Sequence, residues 1–239
     1  MLMRRDGSLA CDQMCSGLSG KRILVTGLTS PIAAAIAMAF ALHSDRLVVA
    51  MTPEDCPKAA YAHVEALRAC QLPVHVVADE QGADRPAARL TQAAMQVFHG
   101  LDIVVNVIRA GDLALDGLQD MRDLEAALAA KLMSPAMITH VSANRMGLTW
   151  TDGLIVNVLD MEGNKTPTVA ALLKLALDTV TRHEAAKWAE SGVRINAVVA
   201  LPDRPSDPTP VDAAVRSVLH LVGGNAEGLS GLVLATEMA

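Results

Sequence analysis

From Lys21 onward the chain alternates between two kinds of segment. Short aliphatic, β-branched runs fall at 22–26, 46–51, 73–78, 102–107, 153–159, 193–199 and 231–235. Between them lie Ala/Leu-rich stretches with helical character near 31–44, 54–71, 84–99, 117–147, 167–191 and 210–222. Strand-then-helix alternation puts parallel strands in one sheet and covers both faces with helices, through crossovers that are almost always right-handed. The fold class expected is α/β: a single doubly wound parallel sheet of about seven strands, with no second domain. Residues 1–20 carry no such periodicity and end in Ser16-Gly-Leu-Ser-Gly20, which reads as a flexible or loosely docked arm ahead of a domain at 21–239.

Composition narrows the function classes. Half the chain is hydrophobic (51%) but only 2% is aromatic, so the core must be built from Ala, Val, Leu, Ile and Met. A net charge of −6, scattered rather than blocked, argues against a nucleic-acid surface or a basic membrane patch. No run of about 18 apolar residues occurs, and the basic start Met1-Leu-Met-Arg-Arg-Asp6 lacks an apolar stretch after it. A cytoplasmic protein without nucleic-acid or membrane partners is expected. Cys11, Cys15, Cys56 and Cys70 have no Cys/His partner pair at metal-ligand spacing, so they read as free thiols and no metal is expected.

Three segments carry chemistry. The first strand runs into Thr26-Gly27-Leu28-Thr29-Ser30-Pro31-Ile32-Ala33, a strand-to-helix turn of the kind that can present helix N–H groups to a phosphate. Asn106 follows the fourth apolar run in Asn106-Val107-Ile108-Arg109-Ala110-Gly111. Lys174 lies in a long helical stretch followed by Thr181-Arg182 and Gly192-Val-Arg-Ile-Asn-Ala-Val198. Together these resemble the short-chain dehydrogenase/reductase family over roughly residues 21–236. The fold this implies is a Rossmann-type sheet.

The resemblance also implies a set of site residues, and the chain departs from most of them. The family's Thr-Gly-x-x-x-Gly-x-Gly keeps Thr26 and Gly27 but has Pro31 and Ala33 for its later glycines. Met51 and Thr52 stand where an NAD-preferring relative carries an acidic residue, and Asp79 matches either an adenine contact or a solvated strand end. Of Asn-Asn-Ala-Gly only Asn106 survives, for a cofactor role or for bonding the central strands together. The catalytic serine falls near Leu159-Asp160, the helix asparagine on Lys131, and the Pro-Gly that faces the nicotinamide on Ala200-Leu201. Counting back from Gly192 puts Tyr-x-x-x-Lys on Ala170 and Lys174, and the one tyrosine, Tyr61, lies elsewhere.

In the family the phenol transfers the proton and the lysine tunes it; alanine has nothing to titrate. The resemblance therefore implies a vestigial site, with Lys174 and Asp160 as remnants and Thr26, Gly27, Pro31, Ala33 and Asn106 as the remains of a cofactor loop. The helices around Ala126–Met133 and Ala170–Leu177 keep the small apolar residues through which relatives assemble. The expectation is a catalytically inactive subunit, binding no cofactor tightly, in a hetero-oligomer (a tetramer) with an active subunit that holds NAD. Heteromeric hydroxyacyl-CoA dehydrogenases resemble this arrangement. The alternative is an enzyme or metabolite sensor using other chemistry in the same cleft, with Asp160 or Glu162 as base and Lys174 as amine.

Overall fold

A computed structural model describes residues 18–51, 57–78, 86–111, 121–163, 166–201 and 209–236. Its elements follow one another as β1 (Ile23–Thr26), α1 (Pro31–Ala41), β2 (Leu47–Met51), α2 (Pro57–Ala69), β3 (Val74–Ala78), α3 (Pro86–Phe98) and β4 (Ile103–Arg109). Then come α4 (Met121–Leu148), β5 (Leu154–Asp160), α5 (Pro167–Trp188), β6 (Arg194–Ala200), α6 (Pro210–Val222) and β7 (Val233–Ala235). The strands form one seven-stranded sheet in the order β3-β2-β1-β4-β5-β6-β7, with every pair parallel. The doubly wound architecture is as the sequence implies.

Proline sets where the helices begin. Five of the described helices open on one: Pro31, Pro57, Pro86, Pro167 and Pro210. The first helical N–H has no intrahelical acceptor, so its loss costs nothing there, and the fixed φ suits the first turn. Ser30 and Thr209 cap α1 and α6 by accepting the N–H groups of Ile32 and Asp212.

Alternation along the strands assigns the two faces. Ile23, Val25, Val105, Val156 and Val158 pack with Ile32, Ile36, Phe40, Val218 and Leu221 on the side of α1 and α6. Leu24, Val104 and Ile155 pack on the other side with Leu90, Ile138 and Met146. Ile108, Leu159 and Val199 meet Leu173 and Leu177 of α5. Leu18, at the end of the segment read as an arm, is fully buried in the first of these clusters; residues 1–17 lie outside the described residues.

Strand β4 runs to Arg109, two residues beyond the 107 read from the sequence. Ile108 and Ala110 are buried, and the Ala110 N–H bonds the Asp160 carbonyl, so ladder and burial both carry the strand on. At the other end, Gly192 (φ 72) closes the 3-10 turn Ala189–Ser191 and turns the chain into β6.

The most specific stretch of the sequence turns out to build the fold. Buried Asn196 donates to the Leu229 carbonyl (2.9 Å) and accepts from the Leu232 N–H (3.0 Å), tying β6 to the approach of β7. Arg194 donates to the carbonyls of Leu221 and Ala226, closing the end of α6. Burial lowers the pKa of that guanidinium, and the charges of Glu227 and Asp152 offset part of the effect.

Arg22 and Asp102 fasten β1 to β4 at the starts of the two strands. The guanidinium donates to Oδ2 (2.9 Å) and Oδ1 (2.7 Å), and the Arg22 N–H adds a third bond to Oδ2 (2.8 Å). Burial opposes the charge on Asp102, but these bonds and the positive charges of Arg22 and Lys21 outweigh it and hold the carboxyl below its ordinary value. A lowered folded-state pKa means that the stabilisation is complete above the unfolded carboxyl pKa of about 3.9 and fades as pH falls through the folded value. Urea midpoints of native chain and Asp102→Asn should therefore differ most at about pH 6 to 7 and converge in acid. A gap that stays constant from neutral pH to about 3 would contradict the assignment.

Candidate functional site

The strand order reverses between β1 and β4, and in open parallel sheets the crevice beyond the strand ends at that point is where ligands bind. Most of the residues singled out by the sequence converge on this edge. They sort onto the two faces of the sheet and do different things there.

On the α4 side, Thr26, Asn106, Thr139 and Asn157 form one buried polar network. The Thr26 hydroxyl donates to Asn106 Oδ1 (3.2 Å). Asn106 Nδ2 donates to Thr139 Oγ1 (3.2 Å) and Asn157 Oδ1 (3.0 Å), and the Thr139 hydroxyl donates to the same Asn157 oxygen (3.1 Å). All four side chains are buried. Asn106 thus joins three adjacent strands, β1, β4 and β5, to helix α4. Thr139 and Asn157 were not among the residues picked from sequence. Asn157 sits opposite Asn106 in the parallel register, a pairing visible only once the strands are aligned.

On the α1 side lies the turn from β1. Gly27 has φ 77, and a side-chain carbon there would run into the Val107 carbonyl. Leu28 is fully buried, and its carbonyl accepts from His63 Nδ1 on α2 at 2.6 Å. A carbonyl can only accept, so this ring nitrogen carries the proton. His63 gave no sequence signal.

The first backbone N–H groups of α1 are engaged within the chain. The Ser30 N–H bonds the Gly27 carbonyl (3.0 Å), Pro31 has none, and the Ile32 N–H bonds Ser30 Oγ (3.1 Å). The Ser30 hydroxyl then donates to Asp160 Oδ2 at 2.6 Å, across 130 residues of sequence. Asp160 Oδ1 accepts the Glu162 N–H (2.9 Å). Ser30 and Asp160 are 0% and 1% exposed. Because β4 lies between β1 and β5, this bond passes over the end of β4 at the point of strand reversal.

Arg109 is the β4 residue opposite Asp160 in register, so its side chain leaves the sheet on the same face. It stands fourth from Asn106, where the resemblance has glycine, and its buried Nε has no hydrogen-bond partner among the described residues.

The remaining sites do not join this group. Ala170 is half-buried against the Leu159–Leu173 cluster, and Lys174, one turn on, is exposed. Lys131 is half-buried on α4, Glu162 is exposed, and Tyr61 is 52% exposed on α2. No hydrogen bond or ion pair links Asp160 or Glu162 to Lys174 among the described residues. Met51 is buried at the end of β2; Thr52 and Asp79 fall outside the described residues. No cluster of three or more metal-ligating side chains and no helix long and apolar enough to cross a membrane occurs among them either. Ala33 is fully buried.

A family model described as enoyl-(acyl carrier protein) reductase matches residues 27–211. The chain belongs to the short-chain dehydrogenase/reductase family. Oxidoreductase UcpA of Escherichia coli K12 is 29% identical over 191 residues, covering 76% of this chain and 68% of the relative. D-threitol dehydrogenase of Mycolicibacterium smegmatis is 28% identical over 194 residues, covering 76% and 69%. A dehydrogenase/reductase from Sinorhizobium meliloti superposes with a TM-score of 0.74 at 21% identity, over 94% of this chain and 96% of that one. A short-chain dehydrogenase from Burkholderia cenocepacia, solved in complex with NADP, gives 0.71 at 24% identity, over 92% and 97%. At these identities the structures speak to fold.

Family members use a nicotinamide dinucleotide, and the β1–α1 turn here does not fit its pyrophosphate. The approach that glycine permits is kept at Gly27 alone. At the helix N-terminus, proline stands at the first helical position, a serine oxygen takes the Ile32 N–H, and a carboxylate is bonded to that serine.

Proposed function

We propose that this chain is a catalytically inactive subunit that assembles with, and supports, an active NAD-dependent short-chain dehydrogenase. The observation that carries the reading is Ala170. One turn before Lys174, where the family resemblance places a proton-transferring phenol, the chain offers a methyl group, and no described side chain substitutes for it. Lys174 is exposed, with no phenol beside it to tune.

The outer sides of α4 and α5 support the assembly half of the reading. Met133 and Leu175 are 59% and 64% exposed, beside exposed Ala126, Ala129, Ala130 and Ala171. Helix faces of this composition suit permanent helix-to-helix packing against a related subunit. The active partner would contribute the serine, tyrosine, lysine and NAD. A hydroxyacyl-CoA is the substrate class suggested by the resemblance to heteromeric relatives such as 2-[hydroxy(phenyl)methyl]succinyl-CoA dehydrogenase.

The purified chain by itself should show no NAD(P)-linked oxidation or reduction of alcohol/carbonyl pairs above the rate of a heat-denatured control. Turnover at about 1 per second or faster, the range of ordinary enzymes, would overturn the proposal.

A further inference from the structure

We infer that Asp160 is a resident anion that determines what the β1/β4 crevice accepts, excluding a dinucleotide by serving the α1 N-terminus with the chain's own carboxylate. The inference concerns this chain's groove alone and goes beyond the assembly reading, since it holds with or without a partner subunit.

The groups line up in one direction. The Ile32 N–H donates to Ser30 Oγ, and the Ser30 hydroxyl donates to Asp160 Oδ2 at 2.6 Å. Helix N-termini stabilise negative charge through such N–H groups and the aligned peptide dipoles. Here the hydroxyl passes that polarity to a carboxylate at the end of β5. The second carboxylate oxygen is held by the Glu162 N–H, so the charge is fixed in place. A buried carboxylate bonded through both oxygens is a supported charge, where an unbonded one would be costly.

A pyrophosphate entering between β1 and β4 would have to displace the Ser30–Asp160 bond or lie beside the carboxylate. The first leaves a buried charge short of a donor, and the second sets like charges together where water cannot screen them. No ion pair joins Arg109 to Asp160 among the described residues, although they are register neighbours. Asp160 stands close to where the resemblance has its serine, so the residue lost to catalysis has become the residue that shuts the groove.

The test is calorimetric titration of the full chain with NADH and with NADPH, on native protein, Asp160→Asn and Asp160→Ser. Asparagine keeps the shape and removes the charge; serine also shortens the side chain. Near-ultraviolet and far-ultraviolet circular dichroism on the same samples reports folding. Native protein should bind neither dinucleotide more tightly than about 1 mM. At least one folded variant should bind NADH or NADPH about tenfold or more tightly than native chain does, the effect of removing one adjacent like charge. Micromolar binding to native protein would overturn the inference, as would folded variants with affinity no better than native. Either failure leaves the pairing with an active subunit standing, because these titrations contain no partner.

Discussion

Gly27→Ala is expected to destabilise the fold by about 4 kcal/mol, at the upper end for a single substitution. Two costs act together. The residue sits at φ 77, where any side chain is strained. The added carbon would also press on the Val107 carbonyl, a backbone atom of β4. A flexible side chain could swing away, but this carbonyl is held in the central strand. Relief would need β1 and β4 to part, and their pairing from Ile23↔Ile103 to Thr26↔Asn106 is the middle of the sheet. Urea unfolding followed by circular dichroism measures the effect. Gly228→Ala is the control, because a side-chain carbon there meets nothing within 4 Å; its expected cost is below about 1 kcal/mol. A Gly27→Ala midpoint equal to that of Gly228→Ala would show that the turn is looser than described.

The second large effect is expected at Asn106. Its side chain makes three of the four hydrogen bonds in the network with Thr26, Thr139 and Asn157, inside a region closed to water. Asn106→Ala leaves the Thr26 hydroxyl without that acceptor and removes one of the two donors to Asn157 Oδ1, and a stranded buried group costs about 1–3 kcal/mol. A total near 3 kcal/mol is expected, with the urea slope unchanged because the fold is retained. Thr139→Val leaves Asn106 bonded to both neighbouring strands and should cost only about 1 kcal/mol. If Asn106→Ala were within about 0.5 kcal/mol of native, the network would not be what holds β1, β4 and β5 in register.

These two residues also show what a sequence can and cannot disclose. The strands and helices were legible because the chain changes period at each boundary and marks helix starts with proline; the observed β2, β5 and α6 fall within a residue of where patterning puts them. Gly27 was legible as a turn glycine, and Ala170 as an absent phenol, because each follows from counting along one continuous element. Asp160 was visible as a residue near the serine position and as a candidate base. Its bond to Ser30 joins elements 130 residues apart, and no local pattern encodes that meeting. His63 and Thr139 were missed for the same reason: each acts on a distant loop or strand from a helix whose own periodicity gives no hint of a polar duty. For Asn106 the geometry shows the strand-bonding role, its amide being engaged by three side chains.

The site is coherent as a structure. Its polar groups are satisfied by one another: asparagine with threonine and asparagine, serine with aspartate, histidine with a backbone carbonyl. Among the described residues of the crevice, the buried Arg109 Nε has no hydrogen-bond partner.

Native mass spectrometry of the chain purified gently from its own host tests the central claim most directly. The account predicts a stoichiometric assembly with a second short-chain dehydrogenase whose sequence carries tyrosine four residues before its lysine, and NAD-linked activity that travels with that assembly. A homo-oligomer of this chain alone that carries a bound dinucleotide or turns one over would contradict it.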